Sequence, residues 1–91
     1  MNGYPTEEEL EHLTKLSASV PLNALEIIEY IKQIWHMPEY GVVAKGNTLE
    51  LHTGGWSGNE EIIGTLQRTL FWFLYWQKSE RGGHYYFEGW R

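Results

Sequence analysis

His52-Thr53-Gly54-Gly55-Trp56-Ser57-Gly58-Asn59-Glu60-Glu61 joins a stretch of strand character to the most apolar segment of the chain. Three glycines, one tryptophan and two helix-capping residue types fall within these ten positions. Glycine at this density marks backbone that leaves the regions open to other residues. Read as a strand-to-helix junction, the stretch decides the fold: β structure lies before it and helix after it.

Upstream, Tyr40–Lys45 and Thr48–Thr53 read as a β-hairpin around Gly46-Asn47, a pair suited to a tight primed turn. The register pairs Ala44 with Leu49, Val42 with Leu51 and Tyr40 with Thr53 on a mostly apolar face. Lys45 with Thr48, Val43 with Glu50 and Gly41 with His52 then share the other face. Downstream, Ser57 or Asn59 serves as N-cap, and Ser57-x-x-Glu60 has the form of a capping box. Ile62, Ile63, Leu66, Leu70, Phe73 and Leu74 form one helical face, while Phe71, Trp72, Tyr75 and Trp76 make most of the rest apolar. A helix apolar on nearly all sides is buried on both, so it lies between the sheet and whatever precedes it. Lys78 and Arg81 complement its C-terminal dipole, and Gly82 or Gly83 stops it.

His84 to Trp90 then forms a third strand, with Tyr85 and Phe87 toward the core and His84, Tyr86, Glu88 and Trp90 on the opposite face. Strand two, helix and strand three run up, down and up. Strand three therefore sits either beside strand one, in the order 2-1-3, or beside strand two as a right-handed crossover; the first is preferred. Two helices precede the sheet. Met1 to Pro5 reads as a loose end, and Thr6-Glu7-Glu8-Glu9 as a capping box opening a helix to about Ser17. Asn23 caps a second helix whose apolar face runs through Leu25, Ile28 and Trp35, ending near His36 ahead of Pro38. The sequence thus predicts a single α+β domain over residues 1–91, ordered α-α-β-β-α-β. A three-stranded, mainly antiparallel sheet packs on the long aromatic helix, with the αα-hairpin on that helix's other side.

Composition narrows the function classes. A chain of 91 residues has a modest core, burying about 60–65% of its unfolded surface. Five Trp, six Tyr and three Phe enlarge what each buried side chain contributes. The chain has no cysteine, so disulfide frameworks and thiolate chemistry are excluded. Residues 1–39 hold seven Glu against two Lys, and residues 40–91 hold five Glu against five Lys and Arg, so the net charge of −5 lies in the first segment. With seven basic residues in all, no clustered footprint for duplex nucleic acid is available. Met1 leads into polar sequence without a signal peptide, and Leu70–Trp76 is too short to cross a bilayer, so a cytoplasmic protein is expected.

Five readings compete for the special residues. The glycine loop ahead of a helix resembles an anion site, but it holds no Lys or Arg, and Glu60 and Glu61 already occupy the first turn. Gly55-Trp56-Ser57-Gly58-Asn59 partly matches a nucleophile elbow, with Ser57 attacking, His84 as base and Glu88 orienting it. Asn59 replaces the final glycine of that pattern. Glu50, His52, His84 and Glu88 share the outer sheet face and are ligand types a divalent ion accepts. With strand one between them, however, the two histidines fall roughly 10 Å apart. The same face also carries Val43, Tyr86 and Trp90, apolar and aromatic anchors in a polar surround that fit a protein interface. Glu7, Glu8 and Glu11 permit a decoy for a basic partner, although acidic helix starts are ordinarily solvated faces.

His52-Thr53-Gly54-Gly55-Trp56-Ser57-Gly58-Asn59-Glu60 together with Arg81-Gly82-Gly83-His84-Tyr85 resembles a group of small uncharacterised bacterial, phage and prophage proteins. The likeness spans residues 40–88. It implies a bacterial or phage setting and transfers no catalytic residue. The leading expectation is a non-enzymatic protein-interaction module, self-associating or bound to a protein partner, without a cofactor. The alternative is a small-ligand or divalent-metal-binding protein with hydrolytic capacity, using the His52–Glu61 loop with His84 and Glu88. Within the loop, Trp56 has no capping or turning role; it either plugs the core or is exposed for recognition.

Overall fold

A computed structural model describes residues 3–90; Met1, Asn2 and Arg91 lie outside the described residues. The fold is α+β. Its elements are α1 (Glu7–Ser17), α2 (Ala24–Ile34), α3 (Pro38–Gly41), β1 (Val42–Lys45), β2 (Thr48–His52), α4 (Ser57–Leu66), α5 (Leu70–Tyr75), β3 (Trp76–Glu80) and β4 (His84–Glu88).

The first two helices start where their caps dictate. Glu9 N donates to Thr6 Oγ1 at 3.1 Å and Thr6 N donates to Glu9 Oε1 at 2.9 Å, completing the capping box. Glu26 N donates to Asn23 Oδ1 at 3.1 Å at the head of α2. That helix ends at Ile34, earlier than His36, and Trp35 turns extended. Met37 then takes a left-handed conformation, and Pro38 opens the short turn α3 instead of merely closing α2. This turn consumes Tyr40 and Gly41, so β1 begins at Val42 and the Tyr40–Thr53 and Gly41–His52 strand pairs do not form. The other four pairs of the hairpin stand in the expected register.

Gly3 and Tyr4 are not a loose end. Gly58 has no Cβ, and one built there would overlap the Gly3 carbonyl, so the N-terminal backbone lies directly on the start of α4.

The largest departure is the long helix. Thr69 turns extended after α4, its hydroxyl donates to Leu66 O at 2.7 Å, and it accepts from Trp72 N as the N-cap of α5. Helix α5 lasts six residues before Trp76 enters β3. Lys78 therefore belongs to a strand and complements no helix end, while Gly82 and Gly83, with φ of 95° and 84°, turn the β3–β4 hairpin. The extra strand reverses the chain once more, so the last strand runs antiparallel to β2 and lies beside it. The sheet has four strands in the order β1-β2-β4-β3, all antiparallel, which replaces both three-stranded arrangements.

The helices cover one face of the sheet. Ile27, Ile31, Ile62, Leu66 and Phe71 join Leu49, Leu51 and Phe87 in one core, and α1 packs on α2 and α4. Leaving that helical pattern at Thr69 turns Phe73 and Leu74 outward, to 83% and 45% exposure, although helical periodicity placed both in the core. Gly89, at φ 111°, swings Trp90 off the open sheet face and onto Phe71 and Tyr75. Among the described residues, no helix is long and apolar enough to cross a membrane.

Candidate functional site: a histidine pair between two glycine turns

The two glycine-bearing motifs meet. Thr53 N donates to Gly83 O at 2.9 Å, and a Cβ at Gly83 would overlap the Thr53 hydroxyl. Gly54 and Gly55, both at positive φ, fold the loop back so that Trp56 N donates to Thr53 O at 3.1 Å. The amides of Gly55 and Trp56 thus turn inward to Thr53.

Neither expected cap residue caps α4. Trp56 holds the cap position without a side-chain bond, and Ser57 is the exposed first helical residue. Asn59 is 1% exposed and acts as a clamp. Its Oδ1 accepts from His36 N at 2.7 Å, and its Nδ2 donates to His36 O at 3.0 Å and Thr53 O at 3.3 Å. One amide side chain thereby fixes the segment after α2 against the glycine loop, leaving little of its bonding capacity idle.

His52 and His84 are direct cross-strand partners, with Nδ1 to Nδ1 at 2.7 Å. The expected spacing of about 10 Å assumed β1 between them, and the adjacency of β2 and β4 removes it. His52 Nε2 lies 3.1 Å from Glu50 Oε1. An ionised carboxylate only accepts, so His52 Nε2–H donates to Glu50; Nδ1 of a neutral His52 then holds a lone pair and His84 Nδ1–H donates to it. The result is a directional chain from His84 through His52 to Glu50, running across the open face. These roles belong to the neutral imidazole of His52; a protonated His52 would donate from both ring nitrogens, to Glu50 and to His84.

Glu88 takes no part in it. It pairs with Thr48 at the other end of the strand, four residues from His84 and therefore roughly 13 Å along the sheet. The Ser57–His84–Glu88 arrangement is accordingly not assembled, and the carboxylate beside the histidines is Glu50. Among the described residues, no three His or carboxylate side chains are placed to hold a metal ion.

The rest of the open face is more polar than an interface core. Tyr86 OH donates to Glu80 Oε1 at 2.7 Å, and the Lys78 ammonium lies 4.8 Å from the Tyr86 ring centroid. That hydrogen bond, and then Lys78, hold the Glu80 carboxyl below its usual range; the same bond holds the Tyr86 phenol above its own. Val43 is exposed on this face opposite Glu50, as expected, and Trp90 is absent from it.

At the His52–His84 end, a cleft of about 120 Å³ opens between the glycine loop and the segment after α2. His36, His52 and His84 line it together with Met37, Tyr40 and Trp56. Trp56 is 51% exposed and meets the His36 ring edge-on at 4.3 Å. Met37 and Tyr40 are exposed beside it. His52, His84, Trp56 and Asn59 were recognisable as special in the sequence. His36, Met37 and Tyr40 were not, because they read as a helix end and a strand start. The one signal for them was Pro38, which interrupts both patterns.

No protein-family model matches the chain, and no curated protein or solved structure matches it.

Proposed function

We propose that the protein is a non-enzymatic interaction module whose recognition site is the histidine cleft. The observation that carries this is the make-up of that cleft, whose volume of about 120 Å³ suits one inserted side chain. The rim supports the same reading. Trp56, Tyr40 and Met37 present exposed apolar surface around a polar floor, the residue types that anchor protein contacts. The partner is a protein segment that seats one side chain over His52 and His84 and packs its flanks on Trp56 and Tyr40. The bacterial or phage and cytoplasmic setting implied by the motif-pair resemblance belongs to the same proposal.

Selection from a random peptide library tests it. Enriched peptides should lose about thirtyfold in affinity on Trp56→Ala, matching roughly 2 kcal/mol for an anchor residue. Peptides indifferent to Trp56→Ala and Tyr40→Ala, or no enrichment, would overturn it.

The chain His84–His52–Glu50 favours a second reading, in which the cleft binds a small polar ligand and His84 exchanges a proton with it. Binding of imidazole-sized fragments that perturbs the His84 ring resonances, with no peptide enriched, would favour this reading over the first.

A further inference from the structure

We infer that β3 is a self-association edge, and that two copies of this chain pair through it antiparallel about Ser79. The backbone fixes which groups are free. Thr53 N donates to Gly83 O and Gly89 N donates to Asn47 O, so the odd-numbered residues from 83 to 89 turn their backbone groups toward β2. In an antiparallel ladder these directions alternate, and His84 and Tyr86 therefore turn theirs toward β3. Their partners are Glu80 and Lys78. The N–H and C=O of Ser79, between them, point out of the sheet.

A two-fold pairing centred on Ser79 uses those outward groups. It also sets Lys78 opposite Glu80 of the second copy, and Glu80 opposite Lys78 of the second copy, so both cross-strand pairs join opposite charges. Centring on Lys78 instead would oppose two ammonium groups and use backbone already bonded to β4. Charge and hydrogen bonding thus select the same register. Exposed apolar residues lead into this strand: Phe73 and Leu74 lie in α5, and Trp76 opens β3, stacks on Trp72 and donates to Ser79 Oγ at 2.9 Å. The other edge strand, β1, has four residues and is flanked by α2, with which it shares a groove.

Sedimentation velocity across a concentration series, with circular dichroism to confirm folding, tests the pairing. The expected result is a reversible monomer–dimer equilibrium. Ser79→Pro should abolish the dimer yet leave the fold intact, since proline is tolerated on an edge strand where the N–H faces outward. Lys78→Glu should weaken the dimer at least tenfold, and Lys78→Glu with Glu80→Lys should restore it. A protein monomeric at every concentration, or a dimer that survives Ser79→Pro, overturns the inference. Peptide binding at the cleft is read separately, and either result leaves the other standing.

Discussion

Gly83 carries two constraints at once: a φ of 84° and the Thr53 hydroxyl where a Cβ would sit. Gly83→Ala should therefore cost about 1–3 kcal/mol from the backbone alone, and more from the overlap, read as a lowered denaturation midpoint. Gly46 also has positive φ, but nothing lies within 4 Å of its missing Cβ. Gly46→Asn should cost less than about 1 kcal/mol, because asparagine accepts the left-handed region. Similar losses at both sites would contradict the close approach of the two motifs. A second residue-scale prediction concerns Glu80 and Tyr86. Glu80 is held low, first by the Tyr86 hydrogen bond and then by Lys78. Its contribution to stability is therefore present above the pH at which Glu80 ionises in the unfolded chain, and is lost as pH falls through its lowered folded range. At the alkaline end Tyr86 is held high, so its contribution fades as pH rises from the ordinary phenol range into its raised one. Tyr86→Phe should move the Glu80 titration upward in an NMR experiment, and an unmoved curve would show that the bond does not hold it.

Among the elements, Thr69 decides the topology, since its extended backbone separates α4 from α5 and frees Trp76–Glu80 to become a strand. Thr69→Ala removes the acceptor for Trp72 N and a bond to Leu66 O, and should cost about 0.5–2 kcal/mol in thermal or chemical unfolding. No loss would mean that tertiary packing alone sets the break. The same position explains how much of the fold was legible. The capping box at Thr6, the cap at Asn23 and four hairpin pairs are local, so neighbouring residues state them outright. Residues 57–81 mislead because Ile62 through Leu74 keep helical spacing across Thr69, and one buried threonine outweighs that pattern. The missed strand then displaced the site: without β3, His84 falls two strands from His52 instead of opposite it. Asn59 misled in another way, because its residue type suits a helix cap and only the tertiary arrangement shows it clamping His36.

For the whole molecule, the break at Thr69 sorts the aromatic segment into core and surface. Phe71 is fully buried against Phe87 and Trp90, whereas Phe73 is 83% exposed. Phe71→Ala should cost about 3–5 kcal/mol. Phe73→Ser should change monomer stability by less than about 0.5 kcal/mol, as for ordinary surface positions. Equal losses would restore the continuous helix and sink the four-stranded sheet. The open face, the cleft at one of its ends and the β3 edge are then three surfaces of one sheet, and both glycine motifs line the cleft. That convergence rests on β4 lying beside β2, with His52 Nδ1 bonded to His84 Nδ1. A through-hydrogen-bond ¹⁵N–¹⁵N coupling measured on the histidine rings tests it most directly. The structure predicts a resolved coupling between the two Nδ1 atoms, lost in His84→Ala. No coupling, together with cross-strand Overhauser contacts from β4 to β1 in place of β2, would contradict it.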